Sequence, residues 1–312
     1  MMDKKHWTAY WQTGVLTSLP NDFKENYDGE LADFWDSVMS ASPSPMKVLD
    51  VCTGNGAVAI LLKEIAVSNA KEIHVTAVDA SDINPQVVLR HHPNKREVID
   101  DIHFIAGTLV EELDQKLDPI YDLIVSQYGI EYCDTEGAAK AISYLLKPQG
   151  RLVFVAHAAD TAILSYMRQE EQVYQLFDQA NAWEDLAQFG SGKSTVNGFK
   201  NRLNGFISYL KEKPQFNSMP LFNQWGQSMV QLISMPNQTL KNQRRSVAQF
   251  VSQYQNSRNR ALDMLSVSDK LMADPEWYLT FEQHGLQLQK QNVIRYQGEH
   301  IAGHSYEFIK LR

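Results

Sequence analysis

The sequence predicts an α/β protein with a doubly wound, mostly parallel sheet and an inserted helical cap. Between residues 47 and 156, short apolar runs alternate with helical patterns, as expected for parallel strands joined by crossover helices. From about residue 160 to 273 the pattern is helical and rich in Gln, Asn and aromatic residues. Strand patterns then return, and we expect these last strands to rejoin the first sheet.

Five strands are predicted before the insertion and two after it, each bounded by residues suited to leaving a strand. They are 47–52, 74–79, 102–106, 121–126, 151–156, 286–295 and 305–311. The turn Lys147-Pro-Gln-Gly150 precedes the fifth of them. Crossovers between parallel strands are almost always right-handed, so helices are expected on both faces of the sheet.

Helices are predicted within the insertion and before the last two strands. They are 161–181, 196–213, 239–259, 261–272 and 277–284. We therefore divide the chain into three parts. They are an N-terminal helical segment at 1–46, an α/β domain at 47–159 and 274–312, and a helical cap at 160–273. Because ligands bind at the carboxyl ends of strands in such sheets, the cap is expected over that edge.

Composition excludes several classes of protein. A net charge of −8, with basic clusters only at 91–96 and 241–245, disfavours an extended nucleic-acid partner. The first residues lack the pattern of a secretory signal, and no apolar run is long enough for a bilayer. Only Cys52 and Cys133 are present, so neither a disulfide framework nor a metal site is expected. A cytoplasmic location is predicted, and the oligomeric state stays open.

The stretch Asp50-Val-Cys-Thr-Gly-Asn-Gly56 passes from a strand through two glycines into a helix. Such glycines let backbone amides approach a ligand, and the helix adds its N-terminal donors. The glycine spacing also matches the loose dinucleotide-binding fingerprint, so a nicotinamide-dependent oxidoreductase is an alternative. Asp50 at the end of the strand favours a ligand with an ammonium group over a pyrophosphate.

This stretch resembles motif I of class I S-adenosylmethionine (SAM)-dependent methyltransferases, and the resemblance extends from Val48 to about Ala156. Three further stretches resemble the family's second strand, fourth strand, and fifth strand with its preceding turn. They are Val75-Thr-Ala-Val-Asp79, Tyr121-Asp-Leu-Ile-Val-Ser126 and Leu145-Leu-Lys-Pro-Gln-Gly-Arg-Leu-Val-Phe154. The resemblance implies a Rossmann-like methyltransferase fold with SAM as cofactor, whose ribose hydroxyls bind Asp79.

The resemblance also implies a set of cofactor-binding residues in the leading segment and in the loops after the first four strands. They are Tyr10, Trp11, Asp50, Cys52, Thr53, Gly54, Asn55, Gly56, Asp79, Ala80, Gly107, Thr108, Leu109 and Ser126. Tyr10 and Trp11 are expected to fold over the bound cofactor. Cys52 departs from the family pattern, which places glycine there, and Gly107 with Thr108 replaces the acid often found near the adenine amino group.

Methyl transfer from a sulfonium is an in-line displacement, so the protein must mainly align the acceptor and, when needed, remove its proton. By position, Gln127, Tyr128 and Glu131 are the predicted catalytic residues. The Tyr128 ring would pack on the sulfonium, and Glu131 would act as a base or bind a cationic acceptor. Alternatively, Tyr128 only packs the loop and Glu131 caps a helix. His157 is a minor further candidate.

The sequence thus predicts a SAM-dependent methyltransferase acting on a small or medium-sized acceptor enclosed beneath the cap. Two alternatives remain at this point. One is a SAM-binding protein without transfer activity, and the other is the nicotinamide-dependent oxidoreductase. The Asn-Pro-Pro-Tyr signature of amide methyltransferases does not follow the fourth strand, where Ser126-Gln-Tyr-Gly-Ile-Glu-Tyr132 stands instead. Amide or nucleobase amino groups are therefore not supported as acceptors.

Overall fold

A computed structural model describes residues 4–19, 22–298 and 300–311. Its helices are α1 (Lys5–Trp11), α2 (Gly29–Ser40), α3 (Ala57–Ser68), α4 (Arg96–Asp100), α5 (Thr135–Leu145), α6 (Ala162–Gln179), α7 (Ala182–Gly190), α8 (Val196–Lys211), α9 (Pro220–Ser234), α10 (Asn237–Asn242), α11 (Arg244–Ala273) and α12 (Thr280–Gln283). Its strands are β1 (Met46–Val51), β2 (Ile73–Val78), β3 (Ile102–Ile105), β4 (Tyr121–Gln127), β5 (Leu146–Ala156), β6 (Leu286–Tyr296) and β7 (His300–Lys310).

The strands of the described residues form one sheet in the order β3-β2-β1-β4-β5-β7-β6. Strands β1 to β5 are parallel, whereas β7 runs antiparallel to both β5 and β6. The predicted doubly wound, mostly parallel fold is therefore confirmed. The chain order reverses between β1 and β4, and the carboxyl ends of the strands at such a point are where sheets of this kind bind ligands.

Both faces of the sheet are buried, as is usual for parallel strands. Side chains alternate along a strand, so Val48 and Leu49 of β1 belong to different apolar clusters. On one face β1 packs against α2 and α3, with Trp35 and Met39 fully buried. The other face of the sheet packs against α5 and α12, where Phe281 is fully buried. The central strands β1 and β4 are thereby held rigidly, and so are the loops that leave them.

The chain divides into two compact units, Met1–Thr161 with Ser266–Arg312, and Ala162–Leu265. The second unit is helical and has its own core of aromatic side chains, among them Phe177, Trp183 and Trp225. Arg258 forms ion pairs with Glu171 and Asp178 on its surface. No helix of the described residues is both long and apolar enough to cross a membrane.

The helix predictions were partly wrong between residues 160 and 273. Two helices, α7 and α9, were not predicted, although Pro220 occupies the first position of α9, where proline is readily accommodated. The separate helices predicted at 239–259 and 261–272 are one helix from Arg244, because neither Gly nor Pro interrupts the chain there. In the sheet, β7 begins at His300, earlier than the predicted start at residue 305.

Candidate functional site

The turn after β1 has an unusual backbone. Cys52, Gly54 and Gly56 have φ angles of 58°, 56° and 90°, in the left-handed region that glycine adopts most easily. A Cβ at Gly56 would lie 2.8 Å from the ring of Phe104, so glycine is required there for space as well. The Thr53 N–H donates to the Val78 carbonyl at 3.0 Å and holds the turn against the end of β2. Backbone groups can therefore approach a ligand closely at this turn.

Asp50 supports the turn from inside. Its side chain is 1% exposed, and Oδ2 accepts hydrogen bonds from Thr53 Oγ1 at 2.5 Å and from the Ala59 N–H at 3.1 Å. Burial raises the pKa of Asp50 to about 7, the two hydrogen bonds oppose this change, and the charge of Asp79 adds to it. Asp50 thus joins the strand, the turn and the first turn of α3. The predicted contact with an ammonium group stays a prediction.

Asp79, at the end of β2, receives backbone donors from two loops. The Gly54 N–H donates to Oδ2 at 2.8 Å, and the Ser81 N–H donates to Oδ1 at 2.7 Å. Burial raises the pKa of Asp79, and these hydrogen bonds oppose the change. The Ser81 side chain also bonds to this carboxylate, and the acceptor capacity that is left allows a hydrogen bond from a hydroxyl donor of a ligand.

The loop after β3 lies beside Asp79. The Thr108 N–H donates to the Asp79 carbonyl at 2.9 Å. Gly107 has a φ of 66°, and no described atom lies within 4 Å of the position that a Cβ would take there. Ala80 and Leu109 are half-buried on either side of this loop. The site is therefore open beside Gly107 and could take a flat ligand group.

The leading segment covers the glycine turn. A Cβ at Gly54 would lie 2.6 Å from the Trp11 ring, so the indole packs directly on this glycine. Asn55 is fully buried, and its amide group donates to the carbonyls of Trp11 at 2.8 Å and Val15 at 2.7 Å. Tyr10 bonds through its hydroxyl to a carbonyl of the same segment. Asn55 therefore fastens the segment to the turn.

Trp7 extends this cover to the loop after β4. It lies one helical turn before Trp11 in α1, and the two indoles are stacked with centroids 6.3 Å apart. The edge of Trp7 meets the ring of Tyr132 at 6.1 Å. Trp7 was not among the predicted site residues, although its spacing from Trp11 places both on one helical face. The segment therefore lies over the loops that leave β1 and β4.

The predicted residues Gln127 and Tyr128 lie where β4 ends. Gln127 Oε1 accepts a 2.6 Å hydrogen bond from the buried indole N–H of Trp35. Tyr128 has a φ of 57°, and its hydroxyl donates to the Ala302 carbonyl at 2.8 Å. Burial raises the pKa of Tyr128 well above its ordinary value, so the hydroxyl is neutral. Ser126, just before them, is fully buried, and its hydroxyl has no hydrogen-bond partner among the described residues.

Glu131 pairs with His157, which follows β5. Glu131 is 0% exposed, its Oε1 accepts a hydrogen bond from the His157 backbone N–H at 2.8 Å, and the same oxygen lies 2.7 Å from His157 Nδ1. The second oxygen, Oε2, has no partner among the described residues. The His157 ring packs on Tyr128 with centroids 4.6 Å apart and meets Tyr132 edge-on at 5.9 Å. Both residues are candidates from the sequence, which did not predict that they pair.

The loops after β1 and β4 touch. Cys52 Sγ and Cys133 Sγ are 3.6 Å apart, and both cysteines are free. The thiol contact and burial raise the pKa of Cys52 well above its ordinary value, so Cys52 is a neutral thiol. A Cβ at Gly129 would lie 2.2 Å from the Cβ of Cys52. The glycine turn and the Glu131–His157 pair are thus neighbours. No group of three potential metal ligands occurs among the described residues.

A doubly wound sheet with a glycine turn after β1 and an acid after β2 defines a nucleoside-binding α/β protein. A family model described as a methyltransferase domain matches residues 23–195, more than half of the chain. The chain therefore belongs to the SAM-dependent methyltransferase family, as its motifs predicted, and SAM is the cofactor of that family. No curated protein matches the chain.

Solved structures also resemble this chain. A protein assigned as a SAM-dependent methyltransferase in Methanococcus maripaludis is 17% identical, covering 65% of this chain and 84% of that one, with a TM-score of 0.38. Geranyl diphosphate C-methyltransferase from Streptomyces coelicolor A3(2), solved with S-adenosyl-L-homocysteine, is 17% identical, covering 40% and 42%, with a TM-score of 0.32. The [4+2]-cyclase SpnF is 18% identical, covering 42% and 46%, with a TM-score of 0.33. The chain spans about half to two thirds of the length of several such structures.

Proposed function

We propose that this protein transfers the methyl group of SAM to a small or medium-sized acceptor bound beside Gln127, Tyr128 and Glu131. The observation that carries the proposal is the meeting of three features at one edge of the sheet. The glycine turn, Asp79 and the loop after β4 surround the point where the strand order reverses, which is where such sheets bind ligands.

The residues present fit SAM. Asp79 has acceptor capacity left for a ribose hydroxyl, and the open space beside Gly107 suits the adenine. The amino-acid end would lie against the backbone of the turn, with Tyr10 and Trp11 above it. Since Trp11 packs on Gly54, its indole must shift or become part of the cofactor's surroundings. Bound SAM supplies an electrophilic methyl group, and the protein orients the acceptor and excludes water from it.

A small acceptor agrees with the net charge of −8, which disfavours an extended nucleic acid. A cytoplasmic location is part of the same proposal, because the only two cysteines are free thiols. The predicted cover of the acceptor by residues 160–273 stays a prediction. The oxidoreductase alternative loses its support, because family membership accounts for the glycine turn.

Isothermal titration with SAM tests the cofactor half of the proposal. Wild-type protein is expected to bind SAM, and Asp79→Asn is expected to bind it at least tenfold more weakly, because the amide cannot accept both backbone N–H groups and the ribose. Asp82→Asn, the same change at an exposed neighbour, is the matched control and should keep wild-type affinity. No binding to the wild type at millimolar SAM would refute the proposal. Binding without turnover on any acceptor would favour the non-catalytic alternative.

Trp11 supplies an independent signal in the same titration. Because its indole lies on Gly54, SAM binding at the turn should change the tryptophan fluorescence. The Trp11→Phe variant should lose most of that change, whereas Trp183→Phe, which alters the separate helical unit, should keep it. A signal that is the same in both variants would place SAM elsewhere.

A further inference from the structure

A histidine held by a buried carboxylate lies beside the proposed cofactor turn. Strands β4 and β5 are parallel neighbours with Gln127 opposite Val155, so the loops that follow them meet at one edge. One loop brings Glu131 and the other brings His157. Glu131 is fully buried, whereas 16% of the His157 side chain is exposed. The imidazole is therefore the member of the pair that is accessible from outside.

The hydrogen bond between the two side chains determines the histidine tautomer. Oε1 of Glu131 already accepts the His157 backbone N–H, and with the same oxygen as acceptor His157 Nδ1 is the donor in the 2.7 Å contact. In the neutral imidazole the lone pair then lies on Nε2. Nε2 makes no hydrogen bond with any of the described residues. The ring is held by its contacts with Tyr128 and Tyr132, so the direction of this lone pair is fixed.

We propose that His157 is the general base of the methyl transfer, with Glu131 as its positioning residue, and that the reacting group of the acceptor is a hydroxyl. The proposal rests on the function proposed above, and it names the class of acceptor. Burial of a carboxylate is costly unless a charged or hydrogen-bonding partner compensates it. An imidazole that becomes positively charged during the reaction is such a partner.

The reaction balances without a further reactant. His157 Nε2 accepts the hydroxyl proton while the acceptor oxygen forms a bond to the methyl carbon. The bond between that carbon and the sulfur breaks, and its electron pair stays on sulfur, which becomes a neutral thioether. The positive charge has then moved from the sulfonium to the imidazolium, where Glu131 stabilises it. The proton later leaves His157 for water.

The need for a base distinguishes the classes of acceptor. A hydroxyl oxygen is a weak nucleophile until its proton is removed, so a base aligned with it accelerates the transfer. A carboxylate has no proton to lose, and a neutral amine attacks through its free lone pair. Of these three classes of acceptor, only the hydroxyl needs a base with its own positioning carboxylate.

Nitrogen-15 NMR of the histidine rings tests the positioning without any acceptor. In the SAM-free wild type near pH 8, His157 is expected to show a protonated Nδ1 and an unprotonated Nε2. Glu131→Gln should shift the population toward the other tautomer or a mixture, because an amide no longer requires a donor at Nδ1. A wild-type spectrum with the proton on Nε2 would overturn the proposal. SAM affinity, measured alongside by titration, tests the proposed function separately.

Turnover tests the acceptor class. Phenols and alcohols, each with its amine and carboxylate analogue, are incubated with SAM and the full-length protein, and S-adenosylhomocysteine is measured. Methylation of hydroxyl compounds and not of their analogues is expected. On an accepted hydroxyl compound, His157→Ala should lower kcat at least about 100-fold with unchanged SAM affinity, and added imidazole should restore part of it.

His304→Gln is the matched control, because this histidine lies opposite Ala156 on β7 and should be replaceable within about twofold. Two results would overturn the proposal even if SAM binds normally. One is turnover of amines or carboxylates instead of hydroxyl compounds, or turnover of none of the compounds. The other is a His157→Ala variant with wild-type kcat on a hydroxyl acceptor.

Discussion

Replacing Asp50 by Asn tests whether the glycine turn is supported by a buried acid that resists ionisation. The Asp50 side chain is 1% exposed, and burial raises its pKa from 3.8 to about 7 despite two hydrogen bonds. A difference of one pH unit between two pKa values is worth about 1.4 kcal/mol. The raised pKa of Asp50 therefore favours its protonated form over its ionised form by roughly 4 kcal/mol in the folded protein, relative to the unfolded chain.

The sign of the effect follows from proton binding. Between about pH 4 and pH 7 the folded protein keeps a proton on Asp50 that the unfolded chain has lost. The resulting stabilisation is complete below pH 3.8, declines as the pH rises, and is gone above about pH 7. From pH 5 to pH 8 the wild type should lose roughly 3 kcal/mol through this group. Asn does not titrate. Between pH 5 and pH 8 the stability of Asp50→Asn relative to the wild type should therefore rise by that amount.

Hydrogen exchange of the β1 and α3 amides in SAM-free protein, at pH 5 and pH 8, is the appropriate assay. Exchange of these amides reports the local opening of β1 and α3, which flank the turn. Unfolding of the whole chain is less suitable, because a protein of two units need not unfold in a two-state transition. Thr53→Val is the control in the opposite direction. It removes a hydrogen bond that favours the ionised form, so the loss of stability between the two pH values should increase. Equal pH dependence in wild type and Asp50→Asn would refute the reasoning.

Gly129→Ala should destabilise the protein by more than about 2 kcal/mol, because its Cβ would lie 2.2 Å from that of Cys52. Adding Cys52→Gly should recover most of the loss in thermal unfolding, and no recovery would contradict the assigned clash. Trp35→Phe should cost about 1–3 kcal/mol in urea unfolding, since Gln127 Oε1 loses its buried donor. Phe199→Ala should lower the protection of α8 amides by about 3–5 kcal/mol, because this ring is fully buried. Unchanged protection would show that the ring is not part of the core.

The sheet could be predicted from the sequence because its signals are local. Each strand from β1 to β4 is an apolar run followed within a few positions by a glycine or an acid, whereas β5 begins at Leu146 and includes the turn predicted at residues 147–150. The helices of Ala162–Leu265 were harder to predict. Polar Gln and Asn residues occur on both sides of their ends, and Asn181 starts α7 from a left-handed conformation that no simple pattern marks.

The site divides in the same way. Asp50 lies near the end of β1, the glycines follow that strand, and Asp79 follows β2, so motifs local to each strand were enough to predict that they lie together. The Glu131–His157 pair joins residues 26 apart, and the Trp35–Gln127 hydrogen bond joins residues 92 apart. Such pairs depend on which strands are neighbours and on their register. The sequence contains a signal for the first pair, since Glu131 and His157 both lie a few residues beyond the ends of two parallel strands.

Cys52 shows why a departure from a family pattern needs the structure to explain it. Its φ of 58° is one that glycine adopts at lower cost, so the pattern's glycine would suit this backbone better. The Cβ of Cys52, however, fills the space directly against Gly129, where a second Cβ would be only 2.2 Å away. One of the two facing positions must lack a side chain, and in this protein it is residue 129. The thiol at position 52 therefore depends on the loop after β4, and the two loops that enclose the proposed methyl-transfer site must be considered together.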